Sequence, residues 1–274
     1  VSTVGGLDFL QSLNRPALIA MIHVGALPGT PRNCASVAAL TRQAVGEAAI
    51  LTDSGADAII LENMHDVPYL NRHVGPEIVA TMTAICVAVR EATTLPLGVQ
   101  VLAGANREAI AVAHAARLQF VRCEGFAFAH VADEGLMAEA DAGPLLRYRR
   151  AIGADDVAVI ADIKKKHSAH AITADVSLAE TAKAAVFMGA TGVVVTGGAT
   201  GEPASPDDLR SVTETIDQAI FIGSGVTPEN AAHYAAADGW IVGSFLKQDG
   251  EWQNPPEASR VAQMRAAVES AARS

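Results

Sequence analysis

The sequence predicts a single (β/α)8 TIM barrel, an α/β fold in which eight parallel strands close into a cylinder ringed by helices. Three observations carry that prediction. Eight short apolar runs recur along the chain, stretches with helix-start signals separate them, and no Pro- or Ser-rich linker interrupts the series. At 274 residues the chain has the length of one such barrel. The expectation is one domain over residues 1–274, with an N-terminal extension over 1–15 and a C-terminal helix over 256–274. A doubly wound open sheet is the alternative, and it would bind its ligand where the strand order reverses.

The runs cover 17–23, 57–62, 97–101, 120–124, 157–163, 192–196, 219–223 and 239–243. They are too short for helices, rich in Val and Ile, and mostly apolar without strict alternation, as strands buried on both faces should be. The helices between them announce themselves in order. Ser36 caps the first, Pro76 opens the second and Asn106 the third, while 134–152 completes the fourth, with Pro144 expected to start a second helical piece there. Ser177-Leu-Ala-Glu180 is a capping box, and Pro206-Asp-Asp, Pro228-Glu-Asn and Pro256-Glu open the last three. Gly55-Ala-Asp57, Gly189-Ala-Thr191 and Ala237-Asp-Gly239 form a shared strand-entry phrase, in the first two of which glycine ends a helix before a tight turn.

Composition removes several function classes. Half the side chains are hydrophobic, so disorder is excluded, and a net charge of -10 has the wrong sign for bulk attraction to nucleic acid or an anionic membrane. Trp240 and Trp252 show no nucleic-acid stacking pattern. Cys34, Cys86 and Cys123 lie far apart without a CxxC, which points to a reducing, cytoplasmic setting; because the chain starts at Val1, a removed leader remains compatible with it. The longest uncharged stretch, 184–200, is broken by glycines and falls short of the ~20 apolar residues of a membrane span. Ala-rich helices make homo-oligomerisation an expectation as well.

A barrel does its chemistry at the carboxyl ends of its strands, and there the sequence places polar residues where packing alone would place Val or Leu. They are His23, Glu62-Asn63, Gln100, Arg122 with Glu124, Asp162 with Lys164, Lys166 and His167, Thr196, and Ser224. Strand alternation puts Arg122 and Glu124 on one face and makes Asp162 and Lys164 partners in the mouth, with Cys123 and Ile163 facing the helices. Glu62 or Asp162 is the expected base, Lys164 the acid or electrophile, and Glu124 and His23 further catalytic groups. Asn63, Gln100, Arg122, Lys166, His167 and Thr196 are expected to hold substrate. Lys165 and Lys166 read equally well as a solvated basic turn. An arginine among Arg147, Arg149 and Arg150 could close over an anion.

Thr196-Gly-Gly-Ala-Thr-Gly201, Gly223-Ser-Gly-Val-Thr227 and Gly243-Ser244 follow the last three strands. Glycine-rich turns let backbone N–H groups approach an anion, so Gly198, Gly201, Ser224, Gly225, Gly243 and Ser244 are expected to bind phosphate. No cofactor is expected. His23, Glu62, Asp162 and His167 could ligate a divalent metal, although no HExxH-like spacing supports one.

Ordered motifs carry a resemblance. Ala20-Met-Ile-His-Val-Gly-Ala-Leu-Pro-Gly-Thr-Pro31, Leu61-Glu-Asn-Met-His-Asp-Val-Pro68, Leu146-Arg-Tyr-Arg149, Ala161-Asp-Ile-Lys-Lys-Lys-His167, Thr196-Gly-Gly-Ala-Thr-Gly201 and Asp238-Gly-Trp-Ile-Val-Gly-Ser244 together resemble the BtpA/SgcQ family from about residue 16 to 260. The resemblance implies a TIM barrel related to phosphate-binding barrels, with one branch tied to photosystem I accumulation and another to sugar metabolism. The chain departs from the commoner pattern at Gln100, Glu124 and Ile163-Lys-Lys-Lys166. The expected function is acid–base catalysis of isomerase, epimerase or lyase type on a phosphorylated small metabolite, a sugar phosphate or a nucleotide-like compound. A non-catalytic ligand-binding or membrane-complex assembly factor and a metal-dependent hydrolase are the alternatives.

Overall fold

The computed structural model describes residues 9, 13, 15–198 and 201–273. Most of the expected N-terminal extension, together with Ala199 and Thr200 of the first glycine-rich turn, lies outside the described residues. The eight apolar runs are strands β1 (Ala17–His23), β2 (Ala58–Glu62), β3 (Leu97–Gln100), β4 (Phe120–Cys123), β7 (Ala158–Ile163), β9 (Gly192–Thr196), β10 (Ala219–Gly223) and β11 (Gly239–Val242). They pair in parallel around a closed barrel in the order β1-β11-β10-β9-β7-β4-β3-β2.

Helices α1 (Val37–Asp53), α2 (Pro76–Ala92), α3 (Asn106–Ala115), α4 (Ala142–Ala151), α5 (Leu178–Phe187), α6 (Pro206–Thr213) and α7 (Ala258–Ala271) ring it. Ser36 and Ser177 cap α1 and α5 as read, and Ser177 and Glu180 form the full reciprocal box. Gly55 and Gly189 end α1 and α5 with φ near +100°, a conformation that a Cβ would strain.

The entry phrase has a second purpose. Asp57 accepts the Leu18 amide at 2.8 Å, Thr191 the Val159 amide at 3.1 Å and Asp238 the Ile220 amide at 2.8 Å, and Gln119 does the same for Leu97 at 2.8 Å. The polar residue before one strand thus caps an amide at the start of its neighbour, which would otherwise be buried unpaired.

Two apolar layers fill the fold. Outward residues of the strands pack against the helices, while Ile19, Ile60, Phe120, Ile160, Val194, Phe221 and Ile241 fill the lower barrel. Phe120 and Phe221 fit because facing strands carry glycine: a Cβ on Gly98 would lie 2.3 Å from the Phe120 ring, and one on Gly239 3.1 Å from that of Phe221. Phe9 stacks on Phe120 at 4.7 Å from beneath.

Two expectations need correction. Residues 134–152 are not all helical: Gly135, with φ +105°, turns an antiparallel hairpin of β5 (His130–Ala132) and β6 (Gly135–Met137), and α4 follows with Pro144 in its first turn. β8 (Ser168–Ala169) joins this hairpin to complete a three-stranded sheet. The segment after Pro228 forms a short 3-10 turn, Ala231–Tyr234, because the Asn230 side chain binds back to Thr227 and Gly225 and closes the chain before an α-helix can extend.

Candidate active site

The inward positions climb the barrel in twos and change character at the top. Above Met21, Ile60, Phe120, Ile160 and Val194 stand His23, Glu62, Arg122, Asp162 and Thr196, with Gln100 above Gly98. His23 is level with Glu62, and Glu62 with Gln100. At the end of β10 and just after β11 the corresponding positions are Gly223 and Gly243. A Cβ on Gly223 would meet Val194 at 2.7 Å and Arg122 at 3.2 Å, and one on Gly243 would meet the His23 ring at 3.1 Å.

The mouth has two lobes. The first, about 260 Å³, lies beside β10 and β11 and is lined by His23, Gly201, Ser224, Gly225, Gly243, Ser244 and Arg260. The second, about 160 Å³, lies beside β3 and β4 and is lined by Tyr69, Gln100, Glu124, Asp133, Glu134, Lys165 and His167. Glu62, Met64, Arg122 and Lys166 line both.

Their electrostatics follow from burial. Arg122 donates from Nε to Asp162 Oδ1 at 2.9 Å, and although burial opposes its charge, Asp162 and Glu62 raise its pKa. Burial pushes Glu62 up, and pushes Glu124 up to about 7 against the pull of Lys165. His23 donates from Nδ1 to the Trp252 carbonyl at 2.8 Å, since a carbonyl only accepts, leaving Nε2 as an acceptor 3.9 Å from Glu62. Burial and the nearby Lys247 lower its pKa to about 3, so the imidazole is neutral. Gln100 Oε1, Glu124 Oε2 and Thr196 Oγ1 are buried with no hydrogen-bond partner among the described residues. Buried polar atoms are normally satisfied, so such a group calls for a ligand or water.

The expected Asp162–Lys164 pairing is replaced. Alternation stops with β7 at Ile163, Lys164 adopts φ +52°, and its amine donates to the Val176 carbonyl at 2.6 Å. Asp162 is instead committed to Arg122. The turn then sends Lys165 inward to Glu134 at 3.1 Å and Glu124 at 3.6 Å, so Lys165 is no solvated turn residue. Burial lowers its pKa less than these carboxylates raise it.

Lys166 reaches Ser224 Oγ at 3.1 Å. His167 sits at the rim, 4.0 Å from Asp133, and its amide binds the Gly198 carbonyl; Gly198 itself is exposed and outside both lobes. Asn63 follows the outward parity and spends its amide on Leu102 and Asp66, pinning loops rather than entering either lobe. Arg149 binds the Val157 carbonyl ahead of β7, at the opposite end of the barrel from the mouth, and Arg150 binds Asp155. Among the described residues no group of three or more His, Cys, Asp or Glu is placed to hold a metal ion.

Sequence reasoning missed Glu134, Tyr69 and Arg260. Asp133-Glu134-Gly135 is a turn signal that could have exposed the hairpin and with it Glu134. Nothing local marks Tyr69, whose hydroxyl donates to the Met64 carbonyl, or Arg260, which enters from the first turn of α7.

No helix among the described residues is long and apolar enough to cross a membrane. Solved structures share the fold. (S)-3-O-geranylgeranylglyceryl phosphate synthase from Thermoplasma acidophilum, in complex with sn-glycerol-1-phosphate, superposes with TM-score 0.64 at 14% identity, covering 97% of this chain and 98% of its own. Orotidine 5'-monophosphate decarboxylase from Methanocaldococcus jannaschii, with the inhibitor BMP, superposes with TM-score 0.60 at 12% identity, covering 93% and 99%. At such identities the likeness is one of fold alone. An uncharacterised mitochondrial protein of Caenorhabditis elegans is 45% identical over 257 residues, 92% of each chain. The photosystem I biogenesis protein BtpA of a Synechocystis strain is 32% identical over 258 residues, 93% of this chain and 89% of its own. With the family model matching residues 14–270 as well, the chain belongs to the BtpA family.

Proposed function

We propose that the protein is an enzyme of phosphorylated small metabolites, holding phosphate in the glycine lobe and performing acid–base chemistry in the carboxylate lobe. The observation that carries this reading is the junction of the two lobes at Glu62, Arg122 and Lys166. A ligand with its anionic end at Ser224, Gly225, Gly243 and Ser244 extends its carbon skeleton past that junction toward Glu124. Arg122 and Arg260 supply local positive charge despite the net -10 of the chain, and Lys166 adds an amine beside Ser224. Glu124 near pKa 7 suits proton transfer of isomerase, epimerase or lyase type, and neutral His23 offers Nε2 to a substrate hydroxyl. The phosphorylated ligands in the solved neighbours add support at the level of fold.

A thermal-shift screen of phosphorylated metabolites against their dephosphorylated forms tests the reading. A ligand at a hundred times its Kd stabilises by roughly 2.7 kcal/mol. Gly225→Ala should remove that shift, because Gly225 has φ +67° and a Cβ there would meet the Glu202–Pro203 backbone at 2.4 Å. Glu124→Gln should keep the shift and lose turnover. The name of the Synechocystis relative supplies the rival, a non-catalytic assembly factor. No stabilisation by any phosphorylated compound would favour that rival and sink the enzyme reading.

A further inference from the structure

Lys166 differs from the other lysines drawn into the protein's interior. Lys165 is matched by Glu124 and Glu134, and Lys247 by Glu47 at 3.1 Å. Among the described residues Lys166 has no carboxylate within ion-pair distance; its amine meets a neutral hydroxyl, Ser224 Oγ, at 3.1 Å. It stands where the two lobes join, so a molecule spanning them passes its Nζ. Arg122 faces it from β4, Glu62 from β2, Asp162 from β7, Glu124 from the end of β4 and neutral His23 from β1. Burial, reinforced by Arg122, lowers its pKa more than the three carboxylates raise it. Desolvation beside a second cation is the arrangement that turns lysine from a charge into a nucleophile.

We propose that Lys166 is a carbonyl nucleophile, its amine condensing with a phosphorylated aldehyde or ketone whose phosphate rests on the Ser224 and Ser244 turns. This inference rests on the phosphate reading of that lobe. The Nζ lone pair forms a bond to the carbonyl carbon, and the C=O π pair moves to oxygen. That oxygen receives one proton from Glu62, which burial keeps protonated, and one from Nζ. The C–O bond then breaks, water leaves and the nitrogen pair forms C=N. The products are an iminium that retains one N–H, one water and the Glu62 carboxylate, so no oxidant or other co-reactant is needed. The iminium draws electrons from the adjacent carbon, whose proton Glu124 is placed to take as a carboxylate.

Borohydride trapping tests the step in the intact protein. Glyceraldehyde 3-phosphate and glyceraldehyde are each incubated with the protein near neutral pH and reduced, and the labelled lysines are located by peptide mass spectrometry. The phosphorylated aldehyde should label Lys166 roughly tenfold more than any other lysine. Inorganic phosphate should suppress that label, glyceraldehyde should give much less, and Lys166→Arg, which keeps a long hydrogen-bond donor but has no nucleophilic amine, should abolish it. Labelling spread over exposed lysines while inorganic phosphate still stabilises the fold overturns the nucleophile and spares the phosphate lobe. Selective labelling of Lys166 that phosphate neither suppresses nor follows overturns the phosphorylated substrate class.

Discussion

The two lobes of the mouth are made in opposite ways. Beside β10 and β11 the space arises by removal, since Gly223 and Gly243 stand where the other strands carry His23, Glu62, Gln100, Arg122, Asp162 and Thr196. Beside β3 and β4 the surface arises by addition, as Glu124 and Lys165 are joined by Glu134 from a hairpin that is no part of the barrel. The first lobe presents glycine backbone beside His23 and Arg260, and the second presents Glu124 and Glu134 around Lys165. The proposed division between anchoring and reacting rests on that difference.

The charged lobe should be the more fragile. Lys165→Met leaves Glu124 and Glu134 without their cation, and removing one partner of a buried pair costs about 3–5 kcal/mol. Urea unfolding measures it, and a loss below about 1 kcal/mol would place the pair in solvent-like surroundings.

pH should next separate the lobes, because His23, which lines only the first, and Glu124, which lines only the second, are shifted in opposite directions. Glu124 is raised from 4.5 to about 7, so its contribution is fully present below pH 4.5 and is lost as pH rises through about 7, on the order of 3 kcal/mol. His23 is lowered from 6.5 to about 3, so its contribution is present above pH 6.5 and is lost as pH falls toward 3. Unfolding free energies across pH should lose the first slope in Glu124→Gln and the second in His23→Asn; identical profiles in both variants would refute the assignment.

Gly243→Ala probes the glycine lobe with a smaller expected effect. Its methyl would press on the His23 ring at 3.1 Å, an overpacking cost of roughly 1–3 kcal/mol, and should weaken phosphate binding without moving the Glu124 titration. Weakest of all should be Lys164→Met, which forfeits one hydrogen bond to Val176, about 1 kcal/mol, and leaves borohydride labelling of Lys166 intact. Loss of that label in Lys164→Met would return Lys164 to the site.

Legibility in the sequence followed physical length scales. The eight strands were readable to within a residue because both faces are buried, giving uninterrupted apolar runs. The polar layer was readable for as long as alternation held. It failed at Lys164, where a left-handed residue after Ile163 reversed which lysines turn inward, something side-chain identity does not encode. The β5–β6 hairpin escaped because three-residue strands are too short to display a period, and Glu134 escaped with it. The glycines at 223 and 243 were legible as turn formers, yet their larger effect, leaving two inward positions empty, depends on Arg122 and His23 from other strands.

The hydrogen bond from His23 to the Trp252 carbonyl joins the first strand to a segment 229 residues later in the chain. A proton on one ring nitrogen is therefore assigned by the last stretch of backbone to be laid down before α7. The imidazole on the first strand thus takes its hydrogen-bonding polarity from backbone that follows the last strand of the barrel.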